Sequence, residues 1–94
     1  EFAVLGGADV SEADFTGAIL RRANLVGTRG HSACFVRADL YYARPGNADL
    51  AGADLTGARI ERAIFRRANL GGANLRNVSG TANFENANLE GVTR

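Results

Sequence analysis

Side chains that could carry acid–base chemistry recur at a near-constant interval: Asp9, Asp14, Asn24, Asp39, Asp49, Asp54, Asn69, Asn74, Asn83 and Asn88. Paired carboxylates can share general-acid and general-base work. A catalytic pair, however, is an exception within its surroundings, whereas these residues repeat with the chain. Recurrence predicts a structural role, with each side chain bonding backbone at a turn and along a ladder. His31 and Cys34 are each the only residue of their type, too few for a metal site built on clustered ligands. A Ser/His/Asp set has no base other than His31. The glycines, Gly71-Gly72 among them, fall at turn positions and match neither a phosphate loop nor a dinucleotide fingerprint. Asn77-Val78-Ser79 has the form of a glycosylation acceptor. The residue types therefore predict no catalytic residue, no metal, no cofactor and no enzyme.

The elements that must position these residues are set by a unit written twice in succession, Ala48-Asp49-Leu50-Ala51-Gly52 and Ala53-Asp54-Leu55-Thr56-Gly57. A period of five is neither the helical 3.6 nor the strand period of two, so neither an amphipathic helix nor a long strand fits. With the large apolar residue as centre, the Ala two before it faces the same side of an extended segment. The Asp or Asn between them faces out. The two residues after the centre are mostly Gly, Thr, Ser, Asn or Arg and read as a turn. One such unit cannot bury its own apolar face, but stacked coils of them can.

The units Ala8-Asp9-Val10, Ala13-Asp14-Phe15, Ala23-Asn24-Leu25, Ala38-Asp39-Leu40, Ala68-Asn69-Leu70 and Ala73-Asn74-Leu75 extend the pattern in both directions. This chain resembles the pentapeptide-repeat family, with its A-[D/N]-L-x-x signature, from Ala3 to about Val92. The resemblance implies an all-β fold, a right-handed quadrilateral parallel β-helix with four pentapeptides per coil, here about four to five coils. The expected core is Leu5, Phe15, Leu20, Leu25, Phe35, Leu40, Leu50, Leu55, Ile60, Phe65, Leu70, Leu75, Phe84 and Leu89, with their alanines.

Three stretches depart from the pattern. Thr28 to Ser32 places Gly30 at a centre, and Ala43 to Asn47 places Pro45 there. Pro45 cannot donate a ladder hydrogen bond, so that side is expected to be bulged or loosely paired. Val78-Ser79-Gly80-Thr81 has four residues instead of five, and the centres that follow move to Phe84 and Leu89.

With four units per coil, residues 20 apart stack at about 4.8 Å. One side then carries Arg21-Arg22, Tyr41-Tyr42 and Glu61-Arg62, with Ile19, Asp39 and Arg59 before the centres. Arg22, Tyr42 and Arg62 form a column in which guanidinium planes sandwich a ring, at ~0.5–1 kcal/mol per exposed contact. Around the next corner lie Arg66 and Arg67, with Arg44 one coil below. The remaining faces hold Asp9, Glu12, Asp14, Asp49 and Asp54, offset by Arg29, Arg37 and Arg76. The candidate partner-binding set is Arg21, Arg22, Tyr41, Tyr42, Arg62, Arg66 and Arg67.

Ninety-four residues with a formal net charge of +1, eleven arginines and no lysine suit one domain and no strong polyanion binder. No apolar run approaches the ~20 residues of a membrane span, and the lack of a signal-peptide core favours the cytoplasm. Glu1-Phe2 reads as a leftover of cloning, or the whole as a domain cut from a longer protein. The expected role is a non-catalytic solenoid that binds another protein or acts as a structural module. Its ends are expected to be covered by flanking sequence or by end-to-end dimerisation. Family members that imitate DNA and bind a type II topoisomerase, DNA gyrase, supply an alternative that the charge and a length of about 22 Å oppose. Weak nucleic-acid binding through the Arg/Tyr side is a further one.

Overall fold

The computed structural model describes residues 2–94. Parallel bridges join residues one coil apart, as in Val4 to Asn24, Asp9 to Arg29, Asp14 to Cys34 and Ile19 to Asp39. Each bridge is a single extended position between two turns, which is all that a five-residue unit leaves room for. The bonding around it is reciprocal. Leu5 N–H donates to the Asn24 carbonyl at 2.8 Å, and Asn24 N–H donates back to Ala3 at 2.8 Å.

The turns close in one way throughout. The N–H three residues after a centre donates to that centre's carbonyl, as Ala8 does to Leu5 at 3.0 Å and Ala53 to Leu50 at 3.0 Å. The second residue after the centre has φ between +55° and +73° at the regular corners, the signature of a type II turn. Four corners per coil give four faces. The first face is centred on Leu5, Leu25, Pro45, Phe65 and Phe84, and the second on Val10, Gly30, Leu50, Leu70 and Leu89. The third is centred on Phe15, Phe35, Leu55 and Leu75, and the fourth on Leu20, Leu40 and Ile60.

Alanines and centres point inward and fill the narrow interior, with Leu55, Phe65 and Leu70 at 0% exposure. Rings stack between neighbouring coils at Phe15 and Phe35, 5.2 Å apart, and at Phe65 and Phe84, 5.1 Å apart. Leu5, Phe15, Phe84 and Leu89 belong to the first or last coil and are only partly buried.

Of the three departures, only the last alters the register. Across Gly30 the ladder is unbroken, because Gly30 N–H donates to Asp49 at 2.7 Å. A Cβ there would lie 2.9 Å from Cδ2 of Leu50. In the same unit Thr28 replaces the usual inward Ala, and its buried hydroxyl donates to the Leu5 carbonyl at 2.8 Å.

The side at Pro45 is loosely paired rather than bulged: the spacing of 20 is kept on either side, but no bridge joins Arg44 to Ile64. Pro45 is fully buried and keeps its turn, with Ala48 N–H donating to it at 3.1 Å and Asn47 N–H reaching Arg66 at 2.9 Å. A centre needs its side chain inward and its φ extended or turn-like, and both suit proline. The cost is the single ladder bond that its missing N–H cannot give. At 78–81 the bridge spacing falls from 20, at Arg59 to Ser79, to 19, at Ile64 to Asn83. Gly80 takes up the shortfall with φ 93°.

Candidate interaction surface

The recurrent Asp and Asn side chains are turn fasteners. Each Oδ1 accepts the N–H two residues on, from Asp9 to Ser11 at 3.1 Å through Asp54 to Thr56 at 3.0 Å to Asn88 to Glu90 at 3.0 Å. Along the second face the amides also join coil to coil, Asn88 Nδ2 donating to Asn69 Oδ1 at 3.0 Å. Hydrogen bonds from Thr16 and Ser11 hold the Asp14 and Asp9 carboxyls below their ordinary range. These carboxylates stay charged and engaged, the opposite of what a general acid needs.

His31 sits at the corner between the second and third faces, its Nδ1 3.3 Å from the Ser32 hydroxyl. Cys34 stands on the third face with Sγ 3.2 Å from the Thr16 hydroxyl. Among the described residues no three of His, Cys, Asp and Glu gather where an ion could be held.

The corner between the fourth and first faces is built differently. Phe2, Arg22, Tyr42 and Arg62 succeed one another along it. The Arg22 guanidinium lies 5.8 Å from the Phe2 ring centre and 5.6 Å from that of Tyr42. The Arg62 guanidinium lies 5.5 Å from the Tyr42 ring centre and donates from Nη1 to the Tyr42 hydroxyl at 2.7 Å. Beside this column runs a second one. Arg21 lies 5.5 Å and Arg59 4.6 Å from the Tyr41 ring, and the two tyrosines meet edge to face at 4.9 Å.

Asp39 ties the second column together. It accepts Arg21 Nε at 2.6 Å, lies 3.8 Å from Arg59 Nη1 and accepts Tyr41 N–H at 3.1 Å. Partial burial pushes its carboxyl up, but the Arg21 hydrogen bond, the Tyr41 N–H and the two positive charges outweigh that, and it lies below its ordinary value. The Tyr42 hydroxyl in turn holds Arg62 more firmly protonated.

Arg59 is the member that the sequence-derived set omits. It stands 20 residues after Asp39, its bridge partner, so the signal was an acid stacked beneath a base. Arg66 and Arg67 are not part of either column. They occupy the corner between the first and second faces, where Arg66 Nε pairs with Glu85 at 3.1 Å. Arg44 is not directly below them. It bridges to Asn24 on the first face itself, and Gly46 is the residue one coil from Arg66.

Two further observations single out this side. The second residue of each turn needs φ > 0, which glycine adopts freely and other L-residues at about 1–2 kcal/mol. Every other corner uses glycine there in at least two coils: Gly7 and Gly27, Gly52, Gly72 and Gly91, Gly17 and Gly57. The corner between the fourth and first faces uses Phe2, Arg22, Tyr42 and Arg62, all at φ 57–61°. In addition, the large apolar side chains left exposed are Phe2, Val4, Ile19, Val26 and Ile64. They lie on the first face, its two corners or the fourth face.

Comparison with known proteins agrees with this geometry. The family model for pentapeptide repeats matches eight copies, at residues 1–29, 8–44, 33–71 and 46–79. The chain belongs to the pentapeptide-repeat family. HetL, a pentapeptide-repeat protein involved in heterocyst differentiation regulation in Nostoc sp. PCC 7120, is similar at a TM-score of 0.92 and 31% identity, over 97% of this chain and 44% of HetL. Rfr23, a pentapeptide-repeat protein from Cyanothece 51142, matches at 0.59 and 34% identity, over 97% of this chain and 52% of Rfr23. QnrB1, a plasmid-mediated fluoroquinolone resistance protein, matches at 0.87 and 23% identity, over 98% of this chain and 52% of QnrB1. That last likeness is one of fold. No curated protein sequence matches the chain.

The shared architecture is the right-handed quadrilateral β-helix. This pentapeptide-repeat chain spans about half the length of the solved structures it matches. The residues that follow the centres Leu20, Leu40 and Ile60 lie outside the signature.

Proposed function

We propose that this chain is a non-catalytic interaction module that binds another protein through the Arg/Tyr corner and the adjoining first face. The observation that carries the reading is that Phe2, Arg22, Tyr42 and Arg62 leave no glycine at the regular left-handed turn positions of this corner, whereas each other corner mixes glycine with residues such as Glu12, Arg37 and Arg67. Backbone strain accepted in coil after coil on one corner points to a role for the side chains placed there. The composition suits a protein partner, since tyrosine, arginine and exposed apolar residues are enriched where proteins meet. Each tyrosine ring already has two guanidinium groups within 4.6–5.6 Å of its centre, which compete with the base stacking that nucleic-acid binding would use.

Substituting glycine at the three positions leaves the turn geometry intact while removing the surface. A two-hybrid screen with the unaltered chain is expected to return partners that R22G/Y42G/R62G loses and R37G keeps. Arg37 has the same turn conformation, φ 55°, at the corner between the third and fourth faces. Partners that bind the triple variant as well would place the working surface elsewhere.

A second reading, end-to-end association, is favoured by one observation. The inward Ala3, Leu5, Ala8, Val10, Ala13, Phe15 and Ala18 of the first coil are only partly buried. For the 94-residue chain this predicts a mass by light scattering that rises with concentration, and a constant monomer mass removes the reading. The gyrase alternative gains no such support. The net charge is +1, the wrong sign for an imitation of duplex DNA.

A further inference from the structure

We infer that the last coil holds a binding site for a small carboxylate with a two-ring apolar body, in the cavity that the shortened unit at 78–81 leaves open. This goes beyond the interaction reading and uses neither of the Arg/Tyr columns. Ser79 bridges to Arg59, and Ile60 N–H donates to the Ser79 carbonyl at 2.9 Å. Gly80 therefore follows Leu20, Leu40 and Ile60 as the next centre of the fourth face, and it brings no side chain to the interior. The other glycine centre, Gly30, leaves no such gap, because a Cβ there would lie 2.9 Å from Leu50 Cδ2 and 3.6 Å from Val10 Cγ2. Around Gly80 the three atoms nearest a Cβ all belong to the turn residue Glu61. The place above Ile60 is a cavity of about 290 Å³.

The lining of this cavity selects the ligand. Ile60 and Leu75, at 2% and 4% exposure, form its buried part, and the partly buried Val78, Ala82 and Phe84 complete an apolar wall. An apolar body gains by leaving water there, whereas a polar one loses hydrogen bonds without replacement. An apolar cavity of about 150 Å³ holds one benzene, so this one has room for about two fused rings. The charge comes from one residue. Leu75 N–H donates to the Thr93 carbonyl at 2.6 Å, so Arg94 takes the centre that Phe15, Phe35, Leu55 and Leu75 take in the coils before it. Arg94 lines the cavity, and among the described residues no carboxylate pairs with it. A guanidinium beside an apolar cavity suits a carboxylate carried on an apolar body.

The test is calorimetric titration of the 94-residue chain with naphthoate, with its neutral isostere naphthamide and with the one-ring benzoate, joined to mapping of amide chemical shifts. Naphthoate is expected to bind with a Kd below about 1 mM, at least about tenfold more tightly than either of the others. The shifts are expected to centre on Ile60, Leu75 and Phe84. Arg94 is exposed, so Arg94→Ala is expected to keep the fold, to weaken naphthoate about tenfold or more and to abolish its advantage over naphthamide. Arg94→Lys is expected to retain that advantage. Absence of naphthoate binding, equal affinity for naphthamide, no effect of Arg94→Ala, or shifts centred on Leu5 and Phe15 in the first coil overturns the inference. So do shifts at Ile60, Leu75 and Phe84 that follow protein concentration and not ligand, which give the place to a second copy of the chain.

Discussion

At the scale of single residues, one position in the repeat does two jobs. The second residue after each centre must sit at positive φ, and at Tyr42 that demand falls on a large aromatic side chain. Tyr42→Gly relieves backbone strain of about 1 kcal/mol but gives up two guanidinium contacts of about 0.5–1 kcal/mol each. The net change in unfolding free energy is expected to stay within about 1 kcal/mol by urea titration, even though the surface is lost. Asp39 offers a pH handle. Its folded value is lower than the 3.8 of an ordinary carboxyl, so its contribution is complete above 3.8 and is lost as the pH falls through the folded value. The stability gap between the unaltered chain and Asp39→Asn is therefore expected to be full at about pH 5 and to close towards about pH 2, read from melting curves. The turn-fastening role of the Asp and Asn residues was legible because it recurs. The membership of Arg59 was not, because its position before a centre belongs to the repeat and only its stacking on Asp39 and Tyr41 gives it a further role.

At the scale of one coil, the five-residue period identified the unit, and the four-residue spacer at 78–81 told where the ladder would change from 20 to 19. At Pro45 the loose pairing was legible from the missing donor, whereas the absence of a bulge was not, because the interior accommodates the proline side chain fully. Gly80 is the sharpest local constraint. A Cβ there would lie 2.6 Å from Glu61 Cα and 2.7 Å from its nitrogen, so the shortened corner closes only because a side chain is lacking. Gly80→Ala is expected to cost at least about 1–3 kcal/mol. Gly72→Asn provides the contrast: φ is +69° and nothing lies within 4 Å of a Cβ, the same turn conformation that Asn47 and Asn77 adopt elsewhere. Its unfolding midpoint in urea is expected to change by less than the equivalent of about 0.5 kcal/mol.

At the scale of the whole molecule, the chain is a short prism of 29 × 24 × 23 Å, with seven of its arginines and its exposed apolar side chains on one side and Asp9, Asp14, Asp49 and Asp54, offset by Arg29, Arg37 and Arg76, on the other. That division followed from the number four, which the family resemblance supplied and the period alone does not contain. Stability should also be graded along the axis. Leu40, Leu55 and Ile60 are at most 2% exposed, whereas the inward residues of the first and last coils are partly open. Hydrogen exchange is expected to be slowest between about residues 40 and 60 and to quicken towards both ends. The ladder bonds join residues separated by one coil, 18 to 21 positions, from Leu5–Asn24 to Thr93–Ala73. A force applied to the two ends therefore meets only one coil's bonds at a time. Extension should release the chain in repeated steps of about 20 residues, roughly 70 Å of contour each, as a spring that yields turn by turn.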